Sequence, residues 1–339
     1  MSHRKSILIV GVGSIGERHL RCFVATGRVK VSLCEMNPAL RERIAQQYDV
    51  EKAYSNFEEA LAARPDAIVI CTPAQSHVPL ALAAAQAGAH LLIEKPLGTK
   101  LDGVDALQAE IHRRNLTVAV GYVYRAHPAL AAMREAIASG RFGEPVQIVA
   151  TCGQHFPFYR PAYRETYYTD RATGGGAVQD ALTHIMNAGE WLVGPVEKLA
   201  ADAGHQVLQG VGVEDTVNVL TRHGGVMGCF SLNQHQSPNE VTITVICRNG
   251  TARFEYHQSR WRWMTQPGGE WTDEVIDPLE RDALFTRQAG AFLDAIEGGH
   301  PPLCTMEEAL QTLRVNLGIL EAAERHVWQT VKESEVANA

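Results

Sequence analysis

The 339-residue sequence lacks the features that mark several large classes of protein. It contains no run of about 18 apolar residues, so a membrane-spanning helix is not expected. Its 38 acidic residues outnumber its 31 basic ones, for a net charge of −7, and no block of lysine and arginine interrupts this balance. A surface for nucleic acid or for an anionic membrane is therefore not expected.

Cysteine is scarce, and no two cysteines have the C-x-x-C spacing of a zinc or redox site. Seven scattered cysteines are typical of reduced, packed thiols in a cytoplasmic protein. The histidines at 205, 223, 235 and 257 also lack ligand spacing, so no metal is expected. The N-terminal apolar run is short and rich in glycine, which favours a first strand over a secretion signal.

Residues 6 to 122 alternate short apolar runs with amphipathic segments. The runs predict strands at 6–10, 29–35, 67–72, 90–94 and 117–121. The segments between them predict helices near 14–25, 38–47, 77–87 and 102–114, the third ending at Gly88. This order predicts a parallel sheet with helices on both faces, which binds ligands beyond the carboxyl ends of its strands.

The pattern changes after residue 122, where longer runs with alternating polarity follow one another closely. They predict strands at 146–151, 216–221, 227–234, 241–248 and 251–256, and Asn249-Gly250 predicts a hairpin turn. Helices are expected at 176–192, 282–297 and 306–325. We therefore predict two domains, 1–122 and 123–339, the second an antiparallel sheet that carries helices.

The motif Gly11-Val12-Gly13-Ser14-Ile15-Gly16 follows the first strand and opens the first helix. Its glycines permit a tight turn, close approach of backbone N–H groups to a pyrophosphate, and close packing of helix on strand. Glu35 comes 19 residues later, at the end of the second strand, where an acid accepts hydrogen bonds from a ribose. The alternative is a plain turn followed by a surface glutamate.

Glu35 also favours NAD over NADP, because its carboxylate repels the additional phosphate of NADP. The next two residues, Met36 and Asn37, supply no compensating cation. Arg41 and Arg43 follow on the next helix, where we expect a solvated face.

Lys95 stands at the carboxyl end of the fourth predicted strand, in the sequence Glu94-Lys95-Pro96. The proline disfavours a helical conformation for the lysine, which is therefore expected to face the ligand crevice. A solvated lysine is the alternative.

The predicted helix 177–194 has an apolar face and a face of short hydrogen-bonding side chains. The latter consists of Asp180, Thr183, His184 and Asn187, extended by Trp191. Asp180 and His184 are four residues apart and are therefore neighbours on the helix. A helix face in contact with solvent normally carries Lys, Arg or Glu. Because this face carries short hydrogen-bonding side chains instead, we expect it to line a cavity.

Over nearly its whole length the sequence resembles the glucose-fructose oxidoreductase / inositol dehydrogenase (Gfo/Idh/MocA) family. The resemblance rests on five segments in a fixed order: GVGSIGERH at 11–19, Cys71-Thr72-Pro73 with His77, Glu94-Lys95-Pro96, GYVYR at 121–125 before His127-Pro128, and GGGAVQDALTH at 174–184. It implies an α/β fold, with an N-terminal Rossmann dinucleotide-binding domain and a C-terminal α+β domain with a large, mainly antiparallel open sheet.

The resemblance further implies a catalytic set of Lys95, Asp180 and His184. The residues expected to contact the cofactor are Gly11, Gly13, Ser14, Ile15, Gly16, Glu35, Thr72, Pro73, His77, Glu94 and Lys95. The residues expected to contact the substrate are Lys95, Tyr122, Arg125, His155, Tyr163, Asp180 and His184. Alternatives remain open for three of these: a polar helix start for His77, an inter-domain ion pair for Arg125, and a rigid loop at a subunit contact for the aromatic segment 155–171.

The expected activity is reversible NAD-dependent oxidation of a secondary hydroxyl of a sugar, glycoside or cyclitol to a ketone. The alternatives are a glycosidase or epimerase that retains its NAD, and a sugar sensor without catalysis. The runs 227–232 and 241–247 are too apolar on alternate positions for both faces to lie in water, which predicts a homodimer or homotetramer.

Overall fold

The apolar runs of the first half form one parallel sheet in the computed structural model, which describes residues 4–331. Its strands are β1 (Lys5–Val10), β2 (Val29–Cys34), β3 (Ala53–Tyr54), β4 (Ala67–Ile70), β5 (His90–Ile93) and β6 (Val118–Val120). They lie in the order β3-β2-β1-β4-β5-β6, and every neighbouring pair is parallel. This is the strand order of a Rossmann fold.

Five helices connect these strands: α1 (Ser14–Ala25), α2 (Pro38–Gln47), α3 (Phe57–Ala62), α4 (His77–Ala87) and α5 (Val104–Arg114). Gly88 ends α4 in the left-handed region, at φ +88°, as the sequence predicts. The prediction did not include β3 and α3, which are too short to show a periodic pattern.

The second half forms a nine-stranded sheet with helices. Its strands are β7 (Pro145–Gly153), β8 (Lys198–Gly204), β9 (Thr216–His223), β10 (Val226–Asn233), β11 (Glu240–Cys247), β12 (Gly250–Glu255), β13 (Arg260–Met264), β14 (Thr272–Val275) and β15 (Gln329–Thr330). The remaining helices are α6 (Pro128–Ala138), α7 (Phe156–Tyr159), α8 (Thr183–Val193), α9 (Ala283–Ile296) and α10 (Met306–Arg325).

The order of this sheet is β14-β13-β12-β11-β7-β10-β9-β8-β15. The pair β7–β10 is parallel, and all other neighbours for which a register is defined are antiparallel. The expected fold class is therefore confirmed: a Rossmann domain and a second domain with a mainly antiparallel sheet. The β11–β12 hairpin turns at Asn249, and Gly250 already pairs with Cys247.

The chain divides into two compact units, and the division differs from the predicted one. The first unit comprises the described residues up to Ala126 together with Leu279–Ala309, and the second comprises His127–Pro278 and the described residues from 310 onward. Phe292 of α9 lies in the core of the first unit. Its ring packs edge-to-face with the ring of Phe23 on α1, and the two ring centroids are 6.3 Å apart. The sequence shows that α9 is amphipathic, but it does not show which core its apolar face joins.

The structure bears on three features of the composition: the cysteines, membrane-spanning helices and metal ligands. None of the seven cysteines, all of which lie within residues 4–331, forms a disulfide; six are buried and Cys229 is half-buried. Within residues 4–331, no helix is both long and apolar enough to cross a membrane. In the same part of the chain, no three His, Cys, Asp or Glu side chains are grouped so that they could hold a metal ion.

Candidate active site

The glycine-rich turn between β1 and α1 has the geometry that its motif predicts. Gly11 adopts a φ of +79°, and a Cβ built on Gly16 would lie 1.8 Å from the carbonyl oxygen of Gly11, so helix and turn are in direct contact. Gly13 has an ordinary φ of −62°. No described atom lies within 4 Å of a Cβ built there. The space in front of Gly13 fits a pyrophosphate that approaches the backbone at the start of the helix.

Glu35 follows β2, and its carboxylate is held on both oxygens. Oε2 accepts a hydrogen bond from the backbone N–H of Val12 at 3.0 Å, and Oε1 accepts one from Asn37 at 2.9 Å. The guanidinium of Arg41 donates to the backbone carbonyl of Glu35 at 2.8 Å. Arg41 is therefore not simply solvated, as the sequence suggests, whereas Arg43 is exposed. The fixed Glu35 carboxylate lies beside the turn, where it fits a ribose.

His77 joins the loops that follow β4 and β5. Its side chain is buried, and its two ring nitrogens lie 2.8 Å from the carbonyl oxygens of Pro96 and Thr72. Burial lowers the pKa of His77, which disfavours the imidazolium. These contacts give His77 a clear structural role in the two loops, and contact with a cofactor stays a prediction for Thr72, Pro73 and His77.

Lys95 follows β5 directly and is half-buried. Its backbone N–H donates to the carboxylate of Glu94 at 3.1 Å. The other oxygen of Glu94 lies 2.6 Å from Nε2 of His19, a residue of α1 that is fully buried. Sequence reasoning assigned no role to His19. The available signal was its place at the end of the GVGSIGERH segment, one helical turn beyond Gly16.

Tyr122 and Arg125 lie in the first unit and are buried, at 1% and 3% exposure. The guanidinium of Arg125 donates to the carbonyl of Leu303 at 3.0 Å and pairs with Glu308 at 2.5 Å. Both partners belong to the same unit, so this ion pair is not the inter-domain pair considered as an alternative. These two contacts give Arg125 a structural role within the first unit, and its contact with a substrate stays a prediction.

In the second unit, the segment from Gly176 onward starts with a π-helical turn, Val178–Leu182, and continues as α8. Gly176 has a φ of +91°, and its missing side chain leaves room for the carboxylate of Glu214. Glu214 accepts a hydrogen bond from the backbone N–H of Val178 at 3.2 Å and pairs with Arg171 at 2.8 Å. π-turns are frequent at functional sites.

The polar stripe predicted on this helix divides in two. Asp180 and His184 are half-buried, whereas Thr183 and Asn187 are fully buried. Thr183 accepts a hydrogen bond from Asn316 at 2.8 Å, and Asn187 donates to Thr312 at 3.0 Å, both on α10. The prediction that all four line a cavity is therefore wrong for Thr183 and Asn187, because helix α10 satisfies them.

The loop 155–173 contributes a hydrogen bond to Asp180. The hydroxyl of Tyr167 donates to Oδ1 of Asp180 at 2.7 Å, and 46% of Tyr167 is exposed. The sequence places Tyr167 in the segment 155–171, whose Tyr and Arg side chains suit a polyol or glycoside, but nothing in the spacing connects position 167 to position 180.

Two other residues of this loop were expected to contact a substrate. Tyr163 is 3% exposed and packs with Phe156 and Tyr168, while its hydroxyl donates to the carbonyl of Gln209 at 2.7 Å. Tyr163 therefore belongs to the core of the loop, in agreement with the rigid-loop alternative. His155 is exposed, and its role stays a prediction.

Comparisons with known proteins agree with this architecture. A family model described as "Oxidoreductase family, NAD-binding Rossmann fold" (GFO/IDH/MocA) matches residues 5–122, and one for the GFO/IDH/MocA C-terminal domain matches residues 130–253. Levoglucosan dehydrogenase of Pseudarthrobacter phenanthrenivorans is 26% identical over 286 residues, which is 74% of this chain and 73% of the relative. UDP-N-acetylglucosamine 3-dehydrogenase of Acidithiobacillus ferrooxidans is 26% identical over 331 residues, which is 93% of this chain and 96% of the relative.

The fold itself is similar to that of a solved levoglucosan dehydrogenase in complex with NADH. The TM-score is 0.89 at 21% identity, and the match covers 98% of this chain and 100% of the other. At 21% identity, this structural similarity shows that the two proteins share a fold.

Proposed function

Because the chain belongs to the GFO/IDH/MocA family of oxidoreductases, we propose that it is an NAD-dependent dehydrogenase of a sugar, glycoside or cyclitol. It would oxidise a secondary hydroxyl to a ketone, reversibly. The names of the two relatives support a carbohydrate substrate. The observation that carries the proposal is the half-buried Asp180 carboxylate, fixed by the Tyr167 hydroxyl at 2.7 Å, one helical turn before His184.

The chemistry assigns one task to each of three residues. Oxidation breaks the C–H and O–H bonds of one carbon centre and forms a carbonyl. When bound, NAD⁺ supplies a nicotinamide ring that accepts the hydride and thereby loses one positive charge. His184 accepts the hydroxyl proton, Asp180 orients His184 and stabilises its cationic form, and Lys95 stabilises the negative charge that develops on the oxygen.

The test is a panel of inositols, free sugars, anhydrosugars, glycosides and nucleotide sugars, scored by NADH formation. Formation of one NADH for each molecule converted, with one class of compound in the panel, supports a dehydrogenase and identifies its substrate class. A flat response across the panel, with NAD still bound to the protein, contradicts the proposal and favours the class of enzymes that retains its cofactor.

Glu35 is expected to make NAD the preferred cofactor. The wild-type protein should bind NAD at least about tenfold more tightly than NADP, because the carboxylate bonds a ribose and repels a phosphate. Glu35→Gln should weaken NAD binding by about tenfold and narrow this preference. The two dissociation constants are measured side by side by titration.

Glu42→Gln is the matched control, because it removes the same charge from an exposed position on α2. It should leave both dissociation constants unchanged. Equal or tighter binding of NADP by the wild-type protein would remove the role assigned to Glu35.

We further propose that the chain self-associates through the outer face of the second sheet. Leu220 on β9 is 51% exposed and Met227 on β10 is 49% exposed. Leu220 is directly opposite Cys229, which is half-buried on the same face. Phe230 and Leu232, on the other face of β10, are already buried within the unit, so Leu220 and Met227 mark the exposed face of these two strands.

Sedimentation of the wild-type protein at micromolar concentration should give the mass of a dimer or a tetramer. The double variant Leu220→Lys/Met227→Lys should shift the protein to the 37.1 kDa monomer without loss of helix content. A wild-type protein that sediments only as the monomer would refute self-association.

A further inference from the structure

Among the described residues of the first unit, Glu94 is the acidic residue whose side chain is buried. Glu94 is 6% exposed and His19 is not exposed at all. One oxygen lies 2.6 Å from Nε2 of His19, and the other accepts the backbone N–H of Lys95 at 3.1 Å. Gly121 permits this position, since a Cβ there would lie 3.0 Å from the first oxygen.

These contacts favour a negative charge on the carboxylate of Glu94. Each oxygen of Glu94 faces an N–H group, and two such donors favour the ionised carboxylate. Nδ1 of His19 is buried and has no hydrogen-bond partner among the described residues. A proton on Nδ1 would bury an N–H there without an acceptor, which is costly. Nε2 of His19 is therefore the donor to Glu94, whose carboxylate keeps its own negative charge.

The position of this charge along the sheet matters for the cofactor. In a Rossmann fold, the halves β1–β3 and β4–β6 each hold one nucleotide of the dinucleotide. Glu35 ends β2 and belongs to the adenosine half. Glu94 ends β5 and belongs to the half that holds the nicotinamide nucleotide.

We propose that Glu94, held by His19, makes the site discriminate between the two redox states of its cofactor. The oxidised ring carries one more positive charge than the reduced ring, so a buried carboxylate in this half of the sheet stabilises NAD⁺ relative to NADH. This inference rests on the proposed function in taking NAD as the cofactor. Its consequence for a dehydrogenase is weaker retention of NADH, which eases release after oxidation.

The test is a pair of binding titrations, with NAD⁺ and with NADH, on the full-length wild-type protein and on Glu94→Gln. The glutamine keeps one of the two hydrogen bonds, because its oxygen accepts from Nε2 of His19, whereas its NH₂ does not accept from the backbone N–H of Lys95. We expect the ratio of the dissociation constants, NAD⁺ over NADH, to rise about fivefold to tenfold, with a somewhat lower melting temperature.

A second variant covers the case in which Glu94→Gln does not fold. The double variant His19→Leu/Glu94→Met replaces the pair by apolar side chains, which removes the charge without leaving a polar His19 side chain behind, although the backbone N–H of Lys95 loses its acceptor. In this variant too, the dissociation constant for NAD⁺ divided by that for NADH should rise.

Two controls separate charge from position. His19→Gln retains a donor for Glu94 and should leave the ratio unchanged. Glu35→Gln removes a charge from the adenosine half and should weaken the binding of NAD⁺ and of NADH equally. If wild-type protein binds neither form, the proposed function fails. If it binds both, and the ratio stays within twofold of wild type in Glu94→Gln and in the double variant, the inference about Glu94 is overturned.

Discussion

Replacing His184 with alanine is expected to lower turnover by about 10²- to 10⁴-fold on an identified substrate, while affinity for NAD stays nearly unchanged. The reason is that the general base is lost from α8 of the second unit, whereas the glycine-rich turn of the first unit is untouched. Steady-state kinetics between pH 6 and 9, together with NAD titration, measure both quantities. His300→Ala, at an exposed position, is the control and should change neither.

Lys95→Ala should also lower turnover, and the double variant should lose less than the product of the two single losses if the residues act as a unit. The competing assignment makes Lys95 the proton carrier and His184 only a substrate contact. Near-normal turnover of His184→Ala across pH 6 to 9 would support that assignment and refute ours.

Alanine at Gly13 and alanine at Gly16 are expected to fail in different ways. Gly13→Ala should fold normally, because its φ is ordinary and no described atom lies within 4 Å of the new Cβ. It should nevertheless weaken NAD binding by at least about 100-fold, because the methyl group occupies the space of the pyrophosphate. Gly16→Ala should lose both stability and binding, since its Cβ would lie 1.8 Å from a backbone oxygen.

Thermal melting and NAD titration on the two variants separate these effects. Gly290→Ala is the matched control, because it lies in α9 with open space around its Cβ. It should raise or preserve stability, since alanine is the better helix former. Wild-type NAD affinity in Gly13→Ala would show that the pyrophosphate does not approach this turn.

The sequence predicts five of the six strands of the first sheet, because each of them, unlike β3, is an apolar run bounded by clear turn signals. β4 and β5 are buried on both faces and are almost purely aliphatic. Four of the five connecting helices likewise show a period or a glycine cap. The candidate site is predictable to the extent that it consists of motif residues, such as the glycine-rich turn, Glu35 and Lys95.

The contacts that hold these residues were not predictable from spacing. His19 and Glu94 are 75 positions apart in the chain, and Tyr167 reaches Asp180 from a loop without regular period. In the sequence, Thr183 and Asn187 resemble cavity residues, whereas in the structure they form hydrogen bonds with side chains of α10. Such pairings depend on which elements meet in three dimensions, and single-sequence periodicity does not contain that information.

The late segment Leu279–Ala309 completes the first unit, and this has a consequence for synthesis on the ribosome. The N-terminal unit cannot bury Phe23 against Phe292 until α9 has been translated, after the whole central part of the second unit. At usual elongation rates of about 5–20 residues per second, this delay lasts on the order of ten to forty seconds. During that interval the nascent chain exposes an apolar helix face, so chaperone binding should be sought there.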